Sequence, residues 1–349
     1  MKREGDMEGN FEPQSLTDRL FDEVHMEFSF RAKTPEEARA WGRAFRHRLW
    51  EVLGLYRIEV PNDLEPEQVE EADCGDHVRQ KWYVTTEPGV RVPFYLLKPK
   101  GATGRLPLVL TPHGHNPTGK ELYVGIWHTK EEREEIEEGE RDIAVQAVRE
   151  GYIAIAPDMR GFSELMREDD RREGKRNSCR TMLMHDLLFG RTLVGDRVHD
   201  VMRLIDYALT REDVDPERIA ITGNSGGGTV SLFAAACDVR IKVSVPGSYF
   251  CTFRASIGSI YHCECNYIPD ILTLGEMYDV AGLIAPRPFC AVNGREDPIF
   301  PIEATKEAYE KLRKVYEVFG VPERCELYVG DGGHRYYKDG AWSFIRKWL

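Results

Sequence analysis

The chain has 349 residues, of which 42% are hydrophobic and 30% charged, and its formal net charge at pH 7 is −12. A chain of this length and composition can bury one large core or two smaller ones. The acidic balance argues against a nucleic-acid partner, because phosphate recognition requires a basic surface.

The cysteines and the N-terminus bear on the compartment. The opening residues contain no apolar signal core, and no apolar run reaches membrane-spanning length, so we expect a cytoplasmic protein without a membrane partner. In that compartment the eight cysteines are expected to be reduced thiols and not a disulfide framework. They are Cys74, Cys179, Cys237, Cys251, Cys263, Cys265, Cys290 and Cys325.

The first strong pattern is the helical segment "TPEEARAWGRAFRHRLWEVLG". Thr34 is placed to cap it, with Pro35 in the first turn and Glu37 completing a capping box, and Gly54 can end it. An apolar stripe on one face predicts that the helix packs against the main domain. We therefore expect residues 1–76 to form an N-terminal helical extension packed on the core.

The segment "HVRQKWYVTTEPGVRVPFYLLKPKG" follows and alternates in polarity around Glu87-Pro88-Gly89, which predicts a β-hairpin. From Leu106 onward, short apolar runs alternate with helical segments, which indicates a mostly parallel sheet covered by helices on both faces. Residues 77–349 are thus predicted to form one α/β catalytic domain. A charge-dense insertion at 162–195 is a candidate lid.

The run "RIAITGNSGGGTVSLFAAACD" places glycines between a predicted strand and a predicted helix. A phosphate-binding P-loop would need a lysine after its last glycine, and a dinucleotide-binding turn would need glycine at position 225. The run instead matches Gly-x-Ser-x-Gly, with Ser225 between Gly223 and Gly227. This motif holds a serine nucleophile on a strained turn that tolerates no bulk two residues to either side.

A serine nucleophile needs a base and an acid, which in this strand–turn–helix context follow it in the order acid, then histidine. His334 comes just after the last apolar strand on a glycine-rich loop, whereas His262, the other downstream histidine, precedes further strands and is the weaker candidate. The acid is predicted to be Asp297, directly after a strand and before Pro298. The adjacent Glu296 is the alternative.

The reaction also needs N–H donors for a developing oxyanion. The first is predicted to be the backbone N–H of Gly226, at the start of the helix after the nucleophile. The second is predicted to be that of His115 in "PHGHN", where Gly114 allows a tight turn. The side chains of His113 and His115 could contact substrate or brace their own loop.

The segment "YHCECNYIPD" carries three residues that are possible soft metal ligands, His262, Cys263 and Cys265. Because no second Cys/His pair with zinc-like spacing accompanies them, we expect no metal site. Tyr261, His262 and Tyr267 are predicted instead to shape the rim of a substrate pocket, with a structural role as the alternative.

These motifs together resemble the α/β-hydrolase superfamily, in the branch of acetyl xylan esterase-like and dienelactone hydrolase-like proteins. The stretches that carry the resemblance are "TPHGHN", "PDMRGFSE", "GNSGGGTVSLFAAACD", "GREDPIFPIEA" and "GDGGHRYY". The resemblance implies a Ser225–His334–Asp297 triad and an oxyanion hole of Gly226 and His115. It also implies that Asp158 and Arg160 brace a loop and take no part in the chemistry.

The predicted activity is a cofactor-free serine esterase that acts on short acyl esters, and the resemblance favours acetyl groups on a small molecule or a carbohydrate. Two alternatives remain open. One is a peptidase of the prolyl-oligopeptidase type, which shares the fold and the triad order, and the other is a non-catalytic hydrolase-like binding protein. The sequence leaves a homo-oligomer open.

Overall fold

The computed structural model describes residues 13–349, so the first residues of the predicted N-terminal extension lie outside the described part of the chain. The described residues form a nine-stranded sheet. In chain order its strands are β1 (Glu67–Asp73), β2 (His77–Glu87), β3 (Val90–Pro99), β4 (Leu106–Leu110), β5 (Ile153–Pro157), β6 (Val214–Asn224), β7 (Val243–Gly247), β8 (Phe289–Gly294) and β9 (Cys325–Gly330).

Helices cover the sheet, and none within residues 13–349 is both long enough and apolar enough to cross a membrane. They are α1 (Gln14–Glu23), α2 (Pro35–Leu53), α3 (Lys130–Gly139), α4 (Ile143–Arg149), α5 (Glu168–Arg172), α6 (Cys179–Leu188), α7 (Leu193–Leu209), α8 (Gly226–Cys237), α9 (Ile271–Leu274), α10 (Met277–Gly282), α11 (Ile302–Val318) and α12 (Lys338–Trp348).

The strand order is β1-β2-β3-β5-β4-β6-β7-β8-β9. The β1–β2, β2–β3 and β3–β5 pairs are antiparallel. Every pair from β5 through β4 to β9 is parallel. The hairpin followed by a parallel β/α series confirms the predicted fold class, and it brings the carboxyl ends of β4, β6, β8 and β9 to one edge of the sheet.

Both faces of the central strands of the sheet are buried, as the apolar strands predict. Along β4, Leu108 and Leu110 pack into the core on one face, whereas Val109 packs into a second core on the other. Successive side chains of a strand point to opposite faces, so a strand without polar positions needs cover on both sides. Helices such as α7 and α8 cover the first face, and α4 and α12 cover the second.

Helix α2 begins and ends as its sequence predicts. The Thr34 hydroxyl accepts a hydrogen bond from the Glu37 N–H, the Glu37 side chain accepts one from the Thr34 N–H, and Gly54 ends the helix in the left-handed conformation. Phe45, Leu49 and Leu53 are fully buried in the first-face core. The helix is therefore part of the main hydrophobic core.

Strand β1 lies within the segment that was predicted to be helical. Its sequence "EQVEEAD" is mostly exposed and has no apolar alternation, so its side chains carry no strand signal. The strand forms through backbone pairing with β2. Its charged side chains suit an edge position, where they discourage pairing with other chains.

The insertion at 162–195 folds into a short 3₁₀ turn followed by α5 and α6. Two hydrogen bonds of Ser178 hold the middle of the insertion against its beginning. The Ser178 N–H donates to the Gly161 carbonyl at 2.8 Å, and the Ser178 hydroxyl accepts from the Arg167 N–H at 2.9 Å. That the insertion acts as a lid stays a prediction.

Candidate active site

Ser225 lies on a strained turn between β6 and α8. Its backbone angles are φ +57° and ψ −118°, an unfavourable combination for a residue with a side chain. The turn is held by the Ser225 N–H, which donates to the Gly247 carbonyl at 2.8 Å, and by the Asn224 N–H, which donates to the Tyr123 hydroxyl at 3.0 Å. The turn leaves the Ser225 side chain at the carboxyl edge of the sheet, on the wall of a cavity.

The flanking glycines are required by the packing of this turn. A Cβ on Gly223 would lie 2.2 Å from the Pro112 carbonyl oxygen, and one on Gly227 would lie 2.0 Å from the same atom. Both distances are far inside van der Waals contact, and the blocking atom belongs to the backbone. The structure thus supports the reason that the sequence gives for small residues two positions either side of Ser225.

His334 and Asp297 meet although they follow different strands. The Nδ1 atom of His334 lies 2.8 Å from Oδ2 of Asp297, whose side chain is fully buried. The other carboxylate oxygen accepts the N–H groups of Ile299 at 2.8 Å and Phe300 at 3.2 Å. These bonds fix the carboxylate, and the His334 ring also stacks on Phe300 with centroids 5.8 Å apart.

The geometry separates the two candidate acids. Asp297 is buried against His334, whereas Glu296 is exposed to solvent. With Nδ1 of His334 engaged by Asp297, its Nε2 is the ring nitrogen left to act toward the cavity.

The cavity that joins the candidate groups has a volume of about 260 Å³. Ser225 and His334 both line it, together with residues from four other segments of the chain. The remaining lining residues are His115, Arg141, Ile260, Tyr261, His262, Cys263 and Ile299. Four residues predicted to belong to the site or its rim, Ser225, His115, Tyr261 and His262, therefore share one cavity with His334.

The loop after β4 lies directly against the serine turn. A Cβ on Gly114 would lie 2.6 Å from the Asn224 carbonyl oxygen and 3.3 Å from Cβ of Ser225. The same position is 3.5 Å from the backbone nitrogen of Gly226. Only glycine permits this approach, which brings the backbone next to His115 close to the first N–H of α8.

His113 does not contact the cavity. Its side chain is buried, its Nδ1 is 2.7 Å from the Gly114 carbonyl oxygen, and its Nε2 accepts the Met159 N–H at 3.0 Å. The structure therefore gives His113 the loop-bracing alternative and does not support the predicted substrate contact.

Asp158 and Arg160 brace loops through separate partners. Asp158 binds the buried ammonium of Lys120 at 2.7 Å, and this ion pair outweighs the effect of burial and raises the Lys120 pKa. Arg160 binds both oxygens of Asp200 at 2.8 Å and one oxygen of Glu87 at 2.8 Å. Sequence reasoning missed Lys120, since a single lysine in a loop gives no signal of burial.

His262 lines the cavity as predicted, but its environment differs from that of His334. Nδ1 of His262 lies 3.1 Å from the amide nitrogen of Asn266. The amide oxygen of Asn266 accepts a hydrogen bond from the Thr229 hydroxyl at 2.9 Å. The Asn266 amide therefore donates to Nδ1, and burial lowers the His262 pKa. No carboxylate of the described residues contacts the His262 ring, whereas a buried carboxylate contacts His334.

The two rim tyrosines lie in different places. Tyr261 lines the cavity mouth and is 94% exposed. Tyr267 lines a separate, apolar cavity of about 340 Å³ beside α1, and its hydroxyl donates to the Ile257 carbonyl at 3.0 Å. The prediction that Tyr267 shapes the substrate pocket is therefore not supported.

Arg141 was not identified from the sequence. Arg141 lies in the short connection between α3 and α4 and lines the cavity. One of its guanidinium nitrogens is 3.4 Å from a carboxylate oxygen of Glu135. Its Nε is buried without a hydrogen-bond partner. The segment is charge-dense, so nothing in the sequence distinguishes this arginine from its exposed neighbours.

Four side chains beside the cavity carry donor atoms that metals bind, and we call them the thiol–imidazole cluster: His115, Cys179, Cys263 and Cys265. Although burial opposes a charged imidazole, the sulfurs of Cys265 and Cys263 raise the pKa of His115 to about 10. His262, which the sequence grouped with the two neighbouring cysteines, is not a member.

Known proteins are similar to this chain in sequence and in structure. The model of the acetyl xylan esterase (AXE1) family matches residues 63–267. A Bacillus subtilis (strain 168) protein named "Putative hydrolase YtaP" is 27% identical over 314 residues, which cover 87% of this chain and 98% of that protein.

Solved structures extend the similarity to nearly the whole chain. One, described as a "putative acetyl xylan esterase" from Bacteroides fragilis NCTC 9343, gives a TM-score of 0.81 at 17% identity, over 97% of this chain and 95% of that one. A glucuronoyl esterase from Solibacter usitatus gives 0.61 at 17% identity, over 86% and 90% of the two chains. With the α/β-hydrolase fold in place and a family model covering more than half of its length, the chain belongs to the acetyl xylan esterase (AXE1) family of hydrolases.

Proposed function

We propose that the chain is a serine esterase that removes short acyl groups, acetyl in particular, from a small or carbohydrate alcohol. The observation that carries the proposal is the Asp297–His334 hydrogen bond, made beside the same cavity that the strained Ser225 lines. A buried carboxylate that holds one imidazole nitrogen leaves the other free to accept a proton from a serine hydroxyl.

The reaction proceeds in two halves. Ser225 Oγ attacks the ester carbonyl while His334 Nε2 takes its proton, and the backbone N–H groups of Gly226 and His115 stabilise the resulting oxyanion. The tetrahedral intermediate collapses, and His334 returns the proton to the departing alcohol. Water then attacks the acyl-enzyme with His334 as base, releasing the carboxylic acid and regenerating Ser225.

The cavity supports a short acyl group. Its volume of about 260 Å³ is below the range of roughly 300–1,000 Å³ that holds drug-sized ligands. Polar side chains at its wall, including Arg141 and His262, suit an alcohol that carries hydroxyl groups. The similarity to acetyl xylan esterases and glucuronoyl esterases supports a carbohydrate alcohol.

The chemistry requires no cofactor, and the described cysteines, none of which forms a disulfide, support a cytoplasmic location. The peptidase alternative gains no support, because residues 13–349 form one sheet with its helices and contain no propeller.

A substrate panel tests the proposal. We expect p-nitrophenyl acetate and acetylated xylo-oligosaccharides to be hydrolysed, the octanoate ester to be much poorer, and aminoacyl anilides to be inert. Ser225→Ala should bring all ester turnover to background. Turnover that survives in Ser225→Ala, or a preference for anilides, contradicts the proposal.

A further inference from the structure

The thiol–imidazole cluster brings four donor atoms to one point. The Nε2 atom of His115 and the Sγ atoms of the three cysteines all lie within 4.8 Å of one another. Cys265 Sγ is 3.2 Å from His115 Nε2 and 3.3 Å from Cys263 Sγ, and Cys179 Sγ is 4.0 Å from His115 Nε2. The sulfurs of Cys265 and Cys179 therefore approach the same imidazole nitrogen.

These separations are close to those of a tetrahedral zinc site. Zinc binds cysteine sulfur at about 2.3 Å and imidazole nitrogen at about 2.0–2.1 Å, which places ligand atoms about 3.5–3.8 Å apart. The observed distances of 3.2, 3.3 and 4.0 Å fall on either side of that range. Small side-chain adjustments would bring all four atoms to bonding distance of one ion.

A buried arginine supplies a second, independent observation. Arg197 is 3% exposed. It donates to the Arg160 carbonyl at 2.7 Å and to Cys179 Sγ at 3.4 Å. It forms no ion pair with a carboxylate of residues 13–349, although buried charges are normally paired.

The cluster lies against this guanidinium through Cys179. A zinc ion with three thiolates and one neutral imidazole carries a net charge of −1, which Arg197 would neutralise.

We propose that His115, Cys179, Cys263 and Cys265 bind one structural zinc ion. Four protein ligands fill a tetrahedral zinc coordination sphere, as in structural sites, and leave no position for substrate or water. The soft sulfur donors favour zinc over magnesium, calcium or manganese.

The ligands come from three segments, which defines what the site does. His115 lies on the loop after β4, Cys179 begins α6, and the other two cysteines lie on the turn at 263–265. The zinc ion therefore joins the insertion and the cavity wall to the loop that carries the oxyanion-binding amide of His115. This positioning role rests on the proposed function, whereas zinc binding itself does not.

The sequence does not predict this site, because only two of its four ligands are close together along the chain. Cys263 and Cys265 show the spacing of one half of a site, but His115 and Cys179 are isolated from them and from each other. Only the fold supplies the second pair.

The test is the zinc content of the full chain, expressed without a polyhistidine tag in zinc-supplemented medium. Cys263→Ala is the test variant and Cys74→Ala the matched control, because both cysteines are partly exposed. We expect one zinc per chain in the wild type and the control, and loss of most of it in Cys263→Ala and in Cys179→Ala. Cobalt substituted into the wild type should give the visible bands of tetrahedral thiolate coordination.

Three outcomes overturn the proposal. They are a wild-type chain that stays free of zinc after reconstitution, a Cys263→Ala variant that retains full zinc, and an intact mass that shows a disulfide within the cluster. The positioning role has its own readout: removal of zinc should lower kcat for p-nitrophenyl acetate more than it changes KM, and zinc should restore it. A chain that binds zinc but hydrolyses no ester would reject the proposed function and retain the metal site.

Discussion

At the scale of single residues, the proposed mechanism depends most on the hydrogen bonds that fix the Asp297 carboxylate. One carboxylate oxygen is committed to two backbone N–H groups and the other to His334. The carboxylate therefore sets the tautomer of the imidazole, with the proton on Nδ1, and stabilises the imidazolium that forms during the reaction.

Replacing Asp297 with Asn should remove that control. The amide favours the wrong imidazole tautomer, so we expect kcat for p-nitrophenyl acetate to fall on the order of 10³–10⁴-fold with the fold intact. Steady-state kinetics and circular dichroism check this. Glu296→Gln is the matched control, since Glu296 is adjacent and exposed, and equal losses in the two variants would exclude Asp297 as the acid.

Arg141 should contribute to binding and not to the chemical step. Arg141 lines the cavity and its side chain is partly exposed, so we expect its guanidinium to donate to saccharide hydroxyls. We expect Arg141→Ala to raise KM for an acetylated xylo-oligosaccharide by roughly 3–10-fold, the value of one net hydrogen bond. The KM for p-nitrophenyl acetate should barely change.

Arg133→Ala serves as the control, because Arg133 lies on α3 with an exposed ion pair to Glu137. If Arg141→Ala lowers kcat for both esters and leaves each KM unchanged, the assignment to substrate binding is incorrect.

Single residues also show what sequence can reveal. Ser225, Asp297 and His334 could be selected because the motif and the chain order restrict the choice. The positions of Arg141, Lys120 and Arg197 depend on which charged side chains the fold buries, and this is set by tertiary contacts that no local pattern encodes.

At the scale of elements, the turn from β6 into α8 has no room for a side chain at either of its flanking glycines. Gly227→Ala would put a methyl group 2.0 Å from the Pro112 carbonyl oxygen, so the loop after β4 must move away from the serine. We expect a lower melting temperature and a large loss of esterase activity. Differential scanning calorimetry and p-nitrophenyl acetate turnover measure the two effects.

Gly42→Ala provides the comparison within α2. Its nearest new neighbour is Leu283 at 3.9 Å, and alanine is favoured over glycine in a helix by up to about 1 kcal/mol. This variant should be as stable as the wild type or slightly more so. Equal destabilisation by both substitutions would show that the turn is not specially constrained.

The buried ion cluster around Arg160 ties the β2–β3 hairpin to α7. Among the described residues, Arg160→Met leaves Asp200 without an ion-pair partner and leaves Glu87 and Asp196 with Arg191 alone; breaking a buried pair costs about 3–5 kcal/mol. Urea denaturation should show a loss of that size. Arg172→Met, which removes an exposed pair with Glu168, should cost about 1 kcal/mol or less, and a similar cost at both sites would contradict the assigned role.

Helices and strands differ in how well their bounds can be predicted from their sequences. The α2 helix carries its own cap, apolar stripe and terminal glycine, so its bounds follow from the chain alone. The β1 strand carries none of these, because an exposed edge strand depends on backbone pairing with its neighbour, which only the assembled sheet provides.

At the scale of the whole molecule, a parallel sheet gathers residues that are distant in the chain. The carboxyl ends of β4, β6, β8 and β9 lie at one edge, and each is followed within a few residues by a candidate site residue: His115, Ser225, Asp297 and His334 respectively. The order of the strands therefore matters more to the site than any single local motif.

In the proposed mechanism, Ser225 is a nucleophile activated by His334. The most direct measurement is labelling of the folded chain with a fluorophosphonate, followed by mass spectrometry of the intact protein and its peptides. We expect one adduct per chain, located on Ser225. The adduct should form much more slowly in His334→Ala and should be absent in Ser225→Ala. A folded wild-type chain that hydrolyses esters while Ser225 stays unmodified would contradict the proposed mechanism.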